Sequence, residues 1–246
     1  MSMVREWMTP AGEYPRLYHD ILNNVHVLIA GAAGSGKSVV INGLIYTALY
    51  RSPASVKLIC IDLKRVELSD YRHIPHTIAY ADDVKSALGA LQYALDIIEK
   101  RFTIMEKQRV KLYSGPDIYV IIDEMADLLT TAKRQAVPLI QRICQIGRAA
   151  RVHLIGATQH IPTIPTAIRV NFDCLLRLRT QTKQDSRNII GVNGCESLPR
   201  YGYGFYIRPE GMQLYKLPMI DENRLKAMVD YWIKNKKPKI SIFAPR

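Results

Sequence analysis

The residues with the clearest chemical meaning stand in one glycine-rich segment, Gly31-Ala-Ala-Gly-Ser-Gly-Lys-Ser38. Its glycines permit backbone angles at which successive N–H groups turn inward and hold phosphate oxygens. Lys37 would neutralise charge on the β- and γ-phosphates, while the Ser38 hydroxyl would bind Mg²⁺. The segment therefore predicts a P-loop for ATP and Mg²⁺. The residues predicted to contact the nucleotide are Gly31, Ala32, Ala33, Gly34, Ser35, Gly36, Lys37, Ser38 and Val39.

Two adjacent carboxylates form a second chemical signal, because Asp123 and Glu124 end an apolar run that begins at Asp117. Adjacent residues at a strand end point in different directions, so the two side chains can have different tasks. Asp123 would hold Mg²⁺ through its water shell, and Glu124 would polarise the water that attacks the γ-phosphate. The alternative is a pair that caps a helix beginning near Met125. The P-loop in the same chain favours the catalytic interpretation.

A third polar residue, Gln159, ends the apolar run that begins at His153. In open α/β sheets the carboxyl ends of the strands line the ligand crevice. Gln159 would therefore sense the γ-phosphate or place the attacking water, and a hydrogen bond within a turn is an equally good explanation. His160 has no partner at metal-ligand spacing and is interpreted as structural.

Short β-branched runs alternate with amphipathic stretches, the pattern of a parallel sheet covered by helices on both faces. We expect an α/β, RecA-like fold with a mostly parallel central sheet and a C-terminal antiparallel extension. That extension is a hairpin turning at Pro209-Glu210-Gly211. The predicted strands are 26–30, 56–61, 119–122, 153–157, 174–179, 204–207 and 212–217.

A helix is predicted directly after the P-loop, from Val39 to Tyr50, and three further helices are predicted from apolar residues that recur every three or four positions. The longest would be capped by Asp82 or Asp83 and carries such residues from Val84 to Met105. A second carries the apolar residues of 139–146, and a third follows Asp221. All three stripes are interpreted as core packing.

The chain has 34 Lys and Arg against 22 Asp and Glu, a net charge of +12. Such a balance favours polyanionic partners through release of counterions, although a basic protein without such a partner has the same composition. No stretch approaches the roughly 20 apolar residues that span a bilayer. We expect a cytoplasmic protein with no membrane segment of its own. The widely spaced cysteines, read as reduced core thiols, are Cys60, Cys144, Cys174 and Cys195.

From about Val25 to Leu217 the sequence resembles the motor domain of the FtsK/SpoIIIE DNA translocases, within the FtsK–HerA group of P-loop ATPases. Five motifs in the family's order carry the resemblance. They are 26–38, Ile61-Asp-Leu-Lys-Arg-Val-Glu-Leu68, 120–129, Gly147-Arg-Ala-Ala150 with His153-Leu154 and Ala157-Thr-Gln159, and Asp185-Ser-Arg187.

The resemblance implies a homo-oligomer, a hexameric ring around double-stranded DNA, with each ATP held between neighbouring subunits. It makes Arg187 the candidate arginine finger, with Arg148 as a second candidate. For either residue, a surface salt bridge or a ring contact is the alternative. The residues that the resemblance places on DNA phosphates are Lys107, Arg109, Lys111 and Arg169. A solvated basic loop is the alternative for each of them.

We expect three parts: an N-terminal extension (1–24), an ATPase domain (25–220) and a C-terminal helix with a basic tail (221–246). The sequence shows too little chain before Val25 for a further family domain, and no winged-helix domain at the C-terminus. It therefore favours a DNA translocase or packaging motor of a phage, plasmid or mobile element. The alternatives are an FtsK-like ATPase that powers protein secretion and an ATP-dependent adaptor.

Overall fold

The computed structural model describes Leu22 and residues 24–190, 193–199, 202–208, 211–216 and 219–235. The strands are β1 (His26–Ala30), β2 (Val56–Ile61), β3 (Thr77–Ala81), β4 (Asp117–Ile122), β5 (Val152–Thr158), β6 (Cys174–Leu178), β7 (Tyr203–Arg208) and β8 (Gly211–Lys216). The helices are α1 (Lys37–Leu49), α2 (Val84–Gln108), α3 (Met125–Ile146), α4 (Thr166–Arg169), α5 (Lys183–Ile190) and α6 (Glu222–Lys234).

The described strands form one sheet in the order β3-β2-β4-β5-β1-β6-β7-β8. Strands β1 to β6 are parallel, and β7 and β8 add to them antiparallel. The predicted fold class, including the antiparallel extension, is confirmed. We call the edge at which β1 to β6 end the carboxyl edge, and the edge at which they begin the amino edge.

Helices cover both faces of the sheet. Along β4, Val120 and Ile122 pack beneath α2 and α3, whereas Tyr119 and Ile121 pack on the face that carries α1 and α6. Because the parallel strands are buried on both sides, they read in the sequence as continuous apolar runs. Those runs are what made the central strands predictable.

The predicted elements agree with the structure most closely where the local signal is strong. Asp83 caps α2 and forms a reciprocal capping box with Ser86, and the Asp221 side chain caps α6. Helix α3 starts earlier than the stripe at 139–146 indicated, and it contains a non-helical residue, Ala132, and also Pro138. Strand β3 was not predicted, because this half-buried edge strand lacks a clear apolar alternation.

Some expectations lie outside the described residues. These are nearly all of the N-terminal extension (1–24), the hairpin turn residues 209 and 210, and the basic tail beyond Asn235. All four cysteines are buried free thiols, as expected. Within the part of the chain that the structure describes, no helix combines the length and apolar character that crossing a membrane requires.

Candidate nucleotide site

The glycine-rich loop connects β1 to α1 at the carboxyl edge. Gly34 and Gly36 have φ values of 68° and 104°, which side chains rarely tolerate. A Cβ at Gly31 would lie 2.5 Å from the Ser35 hydroxyl oxygen, so this glycine is required by packing instead. Gly36 precedes α1 without a side-chain cap, which leaves the first N–H groups of the helix for an anion.

Lys37 is held across the mouth of this loop. Its Nζ atom donates hydrogen bonds to the carbonyl oxygens of Gly31 and Ala32, each at 2.9 Å. Burial lowers the pKa of Lys37, and the nearby carboxylates of Glu124 and Asp123 oppose that shift. An ammonium group has three donor hydrogens, so two carbonyls can fix its position while the third hydrogen meets a phosphate oxygen.

Glu124 links the ends of β4 and β5. Its two carboxylate oxygens accept hydrogen bonds from the Gln159 N–H at 3.2 and 3.0 Å, and one oxygen accepts from the Ala126 N–H at 3.2 Å. The side chain is 8% exposed. The capping alternative is therefore observed, since Glu124 is the N-cap of α3. The same contacts fix its carboxylate beside the P-loop lysine.

Asp123 lies among like charges. Its pKa rises to about 7, first because of burial and then because of the carboxylates of Glu67, Asp62 and Glu124. Asp62 is fully buried and accepts hydrogen bonds from the backbone N–H groups of Lys64 and Leu68, which fold the segment after β2 over Asp123. The sequence had given no role to Asp62 or Glu67. Their motif was visible, but their position beside Asp123 was not.

Oxygen donors of this kind suit magnesium. Ser38 and Asp123 would supply a hydroxyl and a carboxylate, the hard ligands that Mg²⁺ prefers. Within the described residues, no group of three or more His, Cys, Asp or Glu side chains could hold a metal ion alone. Such a partial donor set fits an ion that takes its remaining ligands from phosphates and water.

A cavity of about 250 Å³ separates the P-loop from the end of β5 and from α5. Gln159 lines it, and so does His160, which the sequence interpretation had treated as structural. Asp185 and Asn188 of α5 close the opposite wall. Gln159 thus lies beside Ala32 and Ala33 of the P-loop, and its role at the γ-phosphate stays a prediction.

A second cavity of about 470 Å³ adjoins the P-loop on the β6 side. It is lined by Ala32 to Ser35 and by Arg179, Thr180 and Gln181. The Ala32 N–H donates to the Arg179 carbonyl oxygen at 2.9 Å, which joins the two segments. Sequence reasoning missed the residues after β6. Their place beyond a parallel strand was the signal that could have found them.

The two candidate arginine fingers occupy different places. Arg187 is exposed on α5, and its Nε atom donates to the Asn193 side-chain oxygen at 3.0 Å. Arg148 is exposed in the turn between α3 and β5, at the amino edge. Within one chain, therefore, the helix of Arg187 borders the nucleotide site, whereas Arg148 lies at the opposite edge.

The residues predicted to contact DNA also lie in different parts of the structure. Lys107 is in the last turn of α2, and Arg109 and Lys111 follow it in the loop to β4; all three are exposed. Arg169 ends α4 and is half-buried, with its Nη2 atom donating to the Thr166 hydroxyl at 3.0 Å. The first three share the amino edge with Arg148, because α2 and α3 both lead there.

Comparison with known proteins places the chain. The FtsK/SpoIIIE family model matches residues 12–117 and 104–163. The chain belongs to the FtsK/SpoIIIE family. It is 37% identical over 231 residues to the DNA translocase FtsK of Helicobacter pylori strain 26695, which covers 86% of this chain and 27% of that relative. This FtsK-type domain thus spans about a quarter of the length of the curated relatives it matches.

Solved structures with the same fold include two P-loop ATPases. The cytoplasmic domain of the Thermomonospora curvata type VII secretion ATPase EccC aligns with a TM-score of 0.74 at 21% identity, covering 90% of this chain and 29% of that chain. The pCW3 conjugation coupling protein TcpA, solved with ATPγS, has a TM-score of 0.74 at 19% identity, covering 86% of this chain and 66% of that chain. Family membership and this fold together support ATPase activity in the FtsK-type domain.

Proposed function

We propose that this chain is the motor of an ATP-driven translocase that moves along double-stranded DNA. The observation that carries the proposal is the Glu124 carboxylate, fixed by the Gln159 N–H beside Lys37 at the mouth of a P-loop. The similar H. pylori protein is named a DNA translocase, and the net charge of +12 suits a polyanionic track.

The chemistry proposed for the site is hydrolysis of ATP. The P-loop N–H groups and Lys37 would bind the phosphates, and Ser38 and Asp123 would hold Mg²⁺. When bound, that ion neutralises charge on the β- and γ-phosphates. Glu124 would orient a water and take its proton as the water oxygen attacks the γ-phosphorus, and the bond to the β-phosphate oxygen would break.

Gln159 is proposed to report the state of the nucleotide. Its backbone N–H already contacts Glu124, and its side chain lines the cavity beside Ala32 and Ala33. The chain that follows crosses from the carboxyl edge back to the amino edge through Arg169. A change in the contacts of Gln159 would therefore move a segment that also carries a DNA-contact candidate.

A homohexameric ring, with ATP between neighbours, is the proposed assembly. Arg187 would reach the γ-phosphate bound by the next subunit and stabilise the charge that develops there. Its exposure on α5, the helix that borders the cavity, supports this role. Arg148 stays the second candidate. Lys107, Arg109 and Lys111 would meet DNA phosphates, as would Arg169.

Transfer or packaging of a mobile genome is the finer role proposed, and the fold shared with the conjugation coupling protein TcpA is compatible with it. The fold shared with the secretion ATPase EccC keeps protein export as a second candidate. Sequence similarity favours the DNA translocase over the protein-export ATPase, because the chain is 37% identical to the H. pylori DNA translocase and 21% identical to EccC.

The test is the ATPase rate of the full chain with and without duplex DNA over a salt series. We expect DNA to stimulate the rate at low salt and to lose that effect as salt rises. Glu124→Gln should still bind ATP but lose turnover by about 100-fold or more. Glu99→Gln, an exposed glutamate paired with Arg142 at 3.8 Å, is the control. An unstimulated rate at low salt would refute the translocase proposal, and stimulation by an export polypeptide instead would favour secretion.

A further inference from the structure

Arg101 is a fully buried arginine in the second half of α2. Burial lowers its pKa to about 10, so the side chain is still a cation at neutral pH. Arginine is rarely buried unless partners stabilise its charge. Its partners therefore identify what the charge holds together.

Those partners lie on two different segments that connect a helix to a strand. The Nη1 atom donates to the carbonyl oxygens of Ala150 at 2.7 Å and Arg151 at 3.3 Å, in the turn that leads from α3 to β5. The guanidinium carbon also lies 4.4 Å from the centroid of the Tyr113 ring, in the loop that leads from α2 to β4. The Tyr113 N–H donates to the Ala149 carbonyl oxygen at 2.9 Å, which joins the same two connections directly.

Tyr113 is a buried anchor in the loop from α2 to β4, directly after the exposed residues 109–112. Its side chain is 2% exposed, and a Cβ at Gly115 would lie 2.3 Å from its ring, so the chain around the ring is closely fitted. Before it, Arg109 takes a left-handed φ of 55° and starts a run of exposed residues that includes Lys111. The N–H groups of Arg109 and Val110 donate to carbonyl oxygens of the last turn of α2, which fixes the start of that run, and Tyr113 fixes its far end.

We propose that Arg101 is a positioning residue that fixes the loop of Arg109 and Lys111, which follows Lys107 at the end of α2, against the turn of Arg148. The cations of this loop and of the turn that carries Arg148 then contact the backbone of duplex DNA as one rigid surface. A preorganised surface binds better than a mobile loop, because the loop need not be ordered on binding. Lysine cannot fully replace Arg101, because an ammonium group can meet the two carbonyls but has no planar guanidinium to lie over the Tyr113 ring. The identity of the ligand, duplex DNA, rests on the proposed function.

The first measurement does not involve DNA. Brief trypsin digestion of the full chain, read by mass spectrometry, reports cleavage after Arg109 and Lys111. In Arg101→Met we expect cleavage there to rise about tenfold over wild type, because local opening governs proteolysis. Cleavage after the exposed Lys133 of α3 is the internal control, since general loosening would raise it equally.

The second measurement is the duplex DNA concentration that half-maximally stimulates ATP hydrolysis. Arg101→Met and Arg101→Lys should each raise it, by about tenfold and about threefold, while the KM for ATP changes far less. The triple variant Lys107→Ala/Arg109→Ala/Lys111→Ala removes the charges directly, and we expect it to raise this DNA concentration the most. If Arg101→Met does not fold, Arg101→Lys provides both measurements.

The outcomes separate the two ideas. Unchanged cleavage after Arg109 and Lys111, or an equal rise after Lys133, overturns the positioning role. Raised loop cleavage with unchanged DNA dependence, while the triple variant loses it, overturns the link to DNA. If DNA stimulates neither wild type nor any variant, the proposed function fails, and the trypsin result still decides whether Arg101 holds the loop.

Discussion

The two edges of the sheet treat charge in opposite ways. At the carboxyl edge, Asp62, Glu67, Asp123 and Glu124 gather around the P-loop, and the pKa of Asp123 rises to about 7 through burial and these like charges. At the amino edge, opposite charges meet. Although burial raises the pKa of Asp117, hydrogen bonds from His153 and Arg151 hold it well below its usual range.

The amino-edge network is tightly paired. Asp117 bonds Arg51 and Arg151 at 2.7 Å each and His153 at 3.3 Å. Because the pKa of Asp117 is lowered in the folded chain, its ionised carboxylate favours folding without any ligand. A cluster of like charges does the reverse, and becomes favourable only when a cation or a phosphate complex is bound. The comparison teaches that the carboxylate cluster at the carboxyl edge is arranged for binding, whereas the Asp117 network at the amino edge is arranged for stability.

The largest effect is expected at the carboxyl edge, from Lys37→Ala. Removing the ammonium group should lower kcat/KM for ATP by on the order of 1000-fold, because phosphate charge is no longer neutralised. The free energy of unfolding should change little. Steady-state ATPase rates and urea unfolding measure the two quantities, with the exposed Lys133→Ala as control. A large loss of stability in Lys37→Ala would break the division between the edges.

At the amino edge, Asp117→Asn should reduce the free energy of unfolding by about 3 kcal/mol, because Arg51 and Arg151 lose their shared counter-charge. The KM for ATP should stay near the wild-type value. Because the pKa of Asp117 is lowered in the folded chain, the carboxylate stabilises the fold at pH values above the pKa of an unfolded Asp. This stabilisation is lost as the pH falls below about 3.9. Urea unfolding at several pH values measures it, beside the exposed control Glu99→Gln. Equal losses in both variants would count against a buried network.

Arg187→Ala sharpens the role of α5 beside the carboxyl edge. If Arg187 acts across a subunit interface, turnover should fall by about 100-fold, whereas ATP binding should be retained. Equilibrium binding of a nucleotide analogue and the ATPase rate at saturating ATP separate the two. Arg142→Ala, an exposed arginine on α3, is the matched control. Normal assembly and hydrolysis by Arg187→Ala would remove it as the finger.

The smallest expected effect is on the stability of the folded chain at low pH. Burial lowers the pKa of His26 and of His76, each to about 4, and both residues stand at the amino edge. Unfolding therefore takes up protons between about pH 6.5 and 4, so stability should fall as pH falls through that window. His76→Gln should reduce this fall by roughly 2 kcal/mol. Urea unfolding at pH 7 and pH 4.5 measures it, and an unchanged difference would contradict the assignment to His76.

Prediction from sequence succeeded where the signal is contiguous. The P-loop is eight successive residues that lead from β1 into the first turn of α1, and Asp123 and Glu124 directly follow the apolar strand β4. It failed where partners are distant in the chain. The Glu124 contact with Gln159 spans 35 positions, and the Arg101 contact with Ala150 spans 49. No periodicity or spacing encodes such pairs.

The sequence by itself determined the nucleotide loop, the parallel order of strand and helix, and the family, because each depends on local backbone preference or on motifs in a fixed order. Only the tertiary structure decided which charges meet. It placed Asp62 and Glu67 against Asp123, the residues after β6 beside the P-loop, and Arg101 beneath a loop of cations. Those neighbours are set by strand order and helix packing, which bring together residues that the sequence keeps apart.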